Sequence, residues 1–257
     1  MLFFRSYLYV LVHALPGWMY NALLSPNPMY IFYSLRCIMA VVCSLCELYF
    51  FKGIVKEMGP NVARMTLAFM VFSGKYRLFA GRSDFSQTSP FFIAAGFFIS
   101  STAFLPSTTS MYLTMVSHGA WFHQSYPLAI FATALSALLS WPFAALLGGP
   151  IALDILFRKK RFAMFFKWSA ISAAVILLPQ ISLDSDYYGK LVSAPFNIVK
   201  YNVFTSHGPD LYGTEPWHYY LINGLLNFNL GFLAALAVIP LHYLTVFLIG
   251  KSNNTAG

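Results

Sequence analysis

Residues 158–181 read RKKRFAMFFKWSAISAAVILLPQI. Four consecutive cations, Arg158 to Arg161, precede twenty residues, Phe162 to Ile181, whose one charge is Lys167. A helix of about 20 mostly apolar residues is what a hydrocarbon layer demands. A dense basic cluster at its end marks the cytoplasmic side. This stretch therefore predicts a membrane-crossing helix that starts at a cytoplasmic turn and delivers the chain to the opposite face.

Working outward, Met29 to Phe51, Pro106 to Phe122 and Leu221 to Ile249 are of the same kind. Pro127 to Phe157 is long enough for two short passes, broken near Trp141-Pro142 or Gly148-Gly149-Pro150. Residues 1–24 are apolar and aromatic but carry Arg5, His13 and Pro16, which suits a helix lying partly along the interface. Of the whole chain, 58% is hydrophobic and 9% charged. A soluble domain carries about 25% charged residues. The expected fold is therefore all-α, a polytopic transmembrane helical bundle formed by residues 1–257 as one domain. Lys52, Lys56 and Arg64 supply a second cytoplasmic turn. The net charge of +8 is read as an orientation signal, with no nucleic-acid surface implied, and the bilayer is the first partner expected. In that frame Asn253-Asn254-Thr255 is a cytoplasmic sequon that stays unmodified.

Two charges fall inside Met29 to Phe51. Each costs roughly 2.5 to 3.5 kcal/mol near a bilayer centre. Arg36 and Glu47 share a helix face but stand roughly 16 Å apart at about 1.5 Å per residue, so neither serves the other. Glu47 is close enough to Lys52 to reach water, whereas Arg36 must snorkel, pair with another helix or meet a phosphate. Cys43-x-x-Cys46 has the spacing of half a redox or metal motif. In an apolar helix it reads better as packing, and no metal site is expected.

The long polar stretch, residues 182–220, is expected to be a lumenal loop facing substrate. It gathers Tyr187, Tyr188, Tyr212, Trp217, Tyr219 and Tyr220 with His207, His218 and four carboxylates. Flat aromatic faces suit the C–H side of a sugar ring, and carboxylates, amides and imidazoles suit its hydroxyls. An aromatic belt at the membrane edge would account for 217–220 alone. The candidate substrate-binding residues are His207, Asp210, Tyr212, Trp217, His218 and Tyr220, with Lys190 as either a phosphate partner or a solvated loop lysine.

Asp184-Ser185-x-x-Tyr188-Gly189-Lys190, Asn202-Val203-Phe204 and the run from His207 through Glu215-Pro216-Trp217 to Asn223-Gly224 resemble the lipid-linked-oligosaccharide α-1,2-mannosyltransferases, GT-C enzymes of glycosyltransferase family 22. The resemblance extends through Leu35-Arg36-Cys37, Cys46 to Phe50, Ala103 to Ser107 and Trp141 to Phe143. It implies a multi-pass endoplasmic reticulum membrane enzyme. Such an enzyme transfers mannose with inversion, without a metal or other cofactor, from dolichyl-phosphate-mannose to a dolichol-diphosphate glycan in N-glycan precursor assembly. It also implies that the catalytic acid precedes the motif resembled by Arg5-Ser6-Tyr7 and that a His-Lys-Glu-Glu-Arg-Phe motif follows residue 257. The chain is thus expected to be a partial GT-C-like bundle with no catalytic residue of its own. Asp184, Asp210 and Glu215 are then positioning groups.

Residues 74–94 interrupt this resemblance and are read as an atypical insertion. They split what would otherwise be one span, and a retained intron is the expected origin. A genuine loop with its own role is the rival. Two functional alternatives stand beside the transferase: a catalytically inactive membrane isoform, and a transporter or flippase. The latter predicts an internal repeat, and the sequence shows none.

Overall fold

The computed structural model describes residues 6–23, 27–72, 101–204, 215–228 and 230–255. Residues 74–94, read as an insertion, lie outside the described residues. All regular structure among the described residues is helical, and the chain falls into two compact units.

The first unit contains α1 (Tyr7–Leu23), α2 (Pro28–Met58), α4 (Pro106–Phe122), α5 (Tyr126–Leu135), α6 (Gly149–Leu153), α7 (Phe162–Tyr188) and α8 (Ala194–Phe204). A helix α3 (Pro60–Phe72) follows α2. The second unit contains α9 (Trp217–Phe228) and α10 (Leu230–Thr255).

Helix α2 starts where Asn27 Oδ1 accepts from the Met29 amide at 3.0 Å and Pro28 occupies the first turn. Proline costs nothing there, because that N–H has no helical partner. The helix ends at Gly59, whose φ of 91° is open to glycine. It therefore runs seven residues past Phe51, through Lys52 and Lys56. Hydropathy marks where an apolar layer stops, whereas the helix stops at its cap. Two glycines let α2 and α4 cross closely. A Cβ on Gly119 would lie 2.9 Å from the Tyr49 ring and 3.1 Å from Phe50 Cα, and one on Gly53 would lie 3.0 Å from Gly119 O. Small residues at a crossing are how apolar helices gain van der Waals contact without a hydrophobic driving force.

The break predicted in residues 127–157 occurs at Trp141-Pro142, the first of the two expected places, whereas the chain stays helical through Gly148-Gly149-Pro150. Helix α5 passes into a π-helical turn, Ser136–Ser140, and stops at Trp141, which precedes proline and is extended at φ −140°. A proline disfavours helical backbone in the residue before it. A 3-10 segment, Pro142–Gly148, then leads into α6 and a second π-helical turn, Asp154–Arg158. The buried cluster of Ala120, Tyr126, Ala129, Ile130, Ile151 and Ile155 joins these pieces, with Trp121 and Trp168 packed against it. At its edge Asp154 accepts from Trp121 Nε1 at 2.9 Å and from Arg158 at 3.3 Å. Arg161 lies over the Tyr126 ring at 5.5 Å.

Helix α7 continues seven residues beyond Ile181. Leu221 to Ile249 is two helices, α9 and α10, rather than one. Gly224 brings them together, since a Cβ there would lie 2.8 Å from the Phe232 ring. Among the described residues, α2 and α7 are long and apolar enough to cross a membrane. Both keep many apolar side chains exposed, including Val41, Leu45, Phe166, Val175 and Leu178.

Candidate functional site

The expected loop at 182–220 is largely helical among its described residues. Ser182 to Tyr188 complete α7, Gly189 ends it in the left-handed region at φ 66°, and α8 covers Ala194–Phe204. The physical reason lies in α1. Asp184, fully buried, accepts from the Tyr7 backbone N–H at 2.6 Å and from Ser6 Oγ at 3.0 Å. Ser6 Oγ in turn accepts from the Leu8 N–H at 3.2 Å. The first amides of a helix have no partner inside it, and a carboxylate complements the positive end of the helix dipole. Asp184 therefore caps α1 from a helix 177 residues away. The Tyr7 ring stacks on Tyr187 at 4.4 Å and meets Tyr188 at 4.9 Å. The chain after Gly189 is held back onto α7 by the Val192 N–H donating to Ser185 Oγ at 3.2 Å.

Below this clamp lies a cavity of about 50 Å³. Its polar lining comes from Ser6, Tyr9, Ser140 and Gln180, and its flat apolar walls from Phe104, Pro106, Pro142 and Pro195. Gln180 is 1% exposed, and neither amide atom has a hydrogen-bond partner; Ser140 Oγ, also buried, has none. The π-helical turn before Trp141 brings Ser140 to this wall, and insertions of this kind recur at functional sites.

Tyr9 also opens a directed chain of hydrogen bonds. The Tyr9 carbonyl can only accept, so His13 Nδ1, 2.9 Å away, donates to it. In the neutral ring Nε2 is then the acceptor for the Thr109 hydroxyl at 3.2 Å. With that proton spent, Tyr9 Oη donates to Thr109 Oγ1 at 3.3 Å.

Arg36 donates through Nε and Nη2 to Thr102 Oγ1 at 3.2 and 2.8 Å and lies 5.6 Å from the Phe32 ring centre. Pairing across segments is thus the observed answer to its place in α2. Glu47 accepts from the buried Cys43 thiol at 3.6 Å. Among the described residues no three metal-binding side chains gather.

The sequence candidates fare unevenly. His207, Asp210 and Tyr212 lie outside the described residues. Trp217, His218 and Tyr220 stand on the first turn of α9; Trp217 is 74% and Tyr220 64% exposed, with the Trp217 and His218 rings edge to face at 6.0 Å. Lys190 is exposed beyond the α7 cap, in the first unit. Sequence reasoning missed Gln180 and Ser140. Four-residue spacing of Ser172, Ile176, Gln180 and Asp184 on one helix face was the available signal.

Among the described residues the regular structure is all helical, with long helices that expose apolar side chains outward and bury polar ones on an inner face, two of them, Ser140 and Gln180, at a small cavity. Three of the motifs that suggested a family meet there, since Ser6, Phe104, Pro106 and Pro142 all line it. The Alg9-like mannosyltransferase family matches residues 3–254, and the chain belongs to that family. It is 48% identical over 247 residues to Alpha-1,2-mannosyltransferase ALG9 of Mus musculus, covering 96% of this chain and 37% of that protein. It is 44% identical over 253 residues to the Drosophila melanogaster protein of the same description, covering 98% and 37%. A Drosophila melanogaster GPI mannosyltransferase 3 is 27% identical over 118 residues, 45% of this chain. The chain thus spans little more than a third of the length of the curated ALG9 relatives it matches. No solved structure matches it.

Proposed function

We propose that the chain forms the membrane-embedded substrate-facing part of an α-1,2-mannosyltransferase of the endoplasmic reticulum. The donor is dolichyl-phosphate-mannose, the acceptor is a dolichol-linked oligosaccharide of N-glycan assembly, and no metal or other cofactor takes part. The observation carrying this reading is the family match along 3–254, to relatives described as α-1,2-mannosyltransferases. Exposed apolar side chains along α2 and α7 support a bilayer around a polytopic bundle, because water would penalise such a surface.

In the reaction, an acceptor hydroxyl oxygen bonds to mannose C1 as the bond from C1 to the donor phosphate oxygen breaks. The hydroxyl proton passes to a carboxylate, and dolichyl phosphate leaves with the bonding pair. Neither Asp184 of α7 nor Asp154 in the turn before it is assigned that proton: Asp184 is spent on α1, and Asp154 on Trp121 and Arg158. His207, Asp210, Tyr212, Trp217, His218, Tyr220 and Lys190 are proposed to contact sugar or lipid phosphate.

The test is the lipid-linked glycan profile of cells lacking their own enzyme, with and without this chain. Conversion of the accumulated precursor to a form one mannose larger is the expected result. Expression at the membrane with an unchanged precursor favours the second reading, a family scaffold without transfer activity.

A further inference from the structure

We propose that Gln180 and Ser140 form a subsite for the hydroxyl-bearing edge of a hexose, in the cavity they share with Ser6 and Tyr9. The inference rests on the mannosyltransferase reading and names residues for it that lie outside the motifs.

A buried amide with both atoms unpartnered is costly, as is a buried hydroxyl with none, and Gln180 and Ser140 together at one cavity mark a place where a partner is missing. The chemistry of that partner follows from the lining. Among the described residues no charged side chain lines the cavity, so neither a phosphate nor a cation finds a counter-charge among them. Gln180 offers an acceptor and two donors, and Ser140 offers both roles. That set complements adjacent hydroxyls, which also donate and accept. Phe104 and Pro142 supply flat apolar surface for ring C–H groups. Room for about four water-sized groups admits one edge of a sugar and not a whole ring. Val10 and Phe104, which line the cavity, are also exposed, so it reaches the surface.

The hexose has two sources, the mannose of the donor lipid or the terminal mannose of the acceptor. The purified full chain in detergent is titrated with dolichyl-phosphate-mannose, with dolichyl phosphate, and with α-1,2-linked mannobiose, in native, Gln180→Leu and Ser140→Ala forms. The expected result is an affinity loss of about tenfold in Gln180→Leu, and a smaller one in Ser140→Ala. The loss is confined to dolichyl-phosphate-mannose if the donor mannose occupies the subsite and to mannobiose if the acceptor does. Dolichyl phosphate binding is unchanged, and the melting temperature of Gln180→Leu is equal to or above native, since an orphaned amide has been replaced by an apolar side chain.

Equal losses for dolichyl phosphate and dolichyl-phosphate-mannose, unchanged affinity in both variants, or no mannose-dependent binding by the native chain overturns the subsite. The glycan profile above is read separately. A profile converted by Gln180→Leu as well as by native chain defeats the subsite alone; an unconverted profile with a mannose-dependent loss on Gln180→Leu defeats the activity alone.

Discussion

Along α2, Arg36 ends on the Thr102 hydroxyl and Glu47 accepts from the Cys43 thiol. Along α7, Ser172 Oγ, both amide atoms of Gln180 and Asp184 Oδ2 are buried without a hydrogen-bond partner. The two helices are alike in length, apolar character and exposure of their outer faces, so the contrast is about the inner face. Polar groups in α2 reach partners and fasten segments together. Those in α7 form a seam whose upper end is tied to α1 and whose middle faces a cavity. An interior in which one helix is satisfied and its counterpart is not separates framework from binding surface.

The largest effect should come from cutting the tied end of the seam. Asp184→Ala removes the acceptor for two buried donors, the Ser6 hydroxyl and the Tyr7 N–H, and frees the N-terminus of α1. The expected cost is about 3 kcal/mol, read as a fall in melting temperature in detergent. Asp184→Asn keeps one oxygen acceptor and should lose less than half as much. If Ala and Asn are equivalent, the charge and not the hydrogen bonding holds α1. If both are neutral, the contrast between seam and framework fails at its strongest point.

On α2 the prediction is milder. Arg36→Leu gives up the two hydrogen bonds to Thr102 but also removes a charge that is costly to desolvate. The net loss should be about 1 kcal/mol, and Thr102→Val in the same chain should recover part of it, because a pair removed together leaves less unsatisfied than one removed alone. Additive losses would show that Arg36 has a role beyond the pair.

How far this contrast was legible beforehand depends on the type of signal. Pro106 to Phe122 was readable to the residue, because proline opens the helix and an apolar run fills it. Trp141-Pro142 announced the break after α5, whereas Gly148-Gly149-Pro150 marks only a change from 3-10 to α winding. The ends of α2 and α7 were not readable from hydropathy, since Lys52 to Met58 and Ser182 to Tyr188 are polar enough to resemble loops. In α7 those residues stay helical through Asp184, Tyr187 and Tyr188 meeting Ser6 and Tyr7 from the other end of the chain, a long-range contact no local pattern encodes. The aromatic run Trp217 to Tyr220 drew attention by composition, whereas Gln180 is a single amide in an apolar helix. Its importance arises from what the π-helical turn at Ser136–Ser140 and the segment at Phe104 place opposite it.

The smallest effect discriminates most finely within α7. Ser172 is fully buried with its hydroxyl unpartnered, yet it does not line the cavity that Gln180 and Ser140 share. If the seam is a binding surface only where it meets the cavity, Ser172→Ala should change no ligand affinity. It should also be neutral or stabilising by up to about 1 kcal/mol, since it deletes a hydroxyl buried without a partner. Gln180→Leu should share the stability gain while losing mannose affinity, so paired melting and binding curves of the two variants separate a ligand-binding orphan from a merely buried one. Should Ser172→Ala also weaken mannose binding, the seam acts as one connected unit, and the boundary between framework and binding surface moves down α7 by two turns.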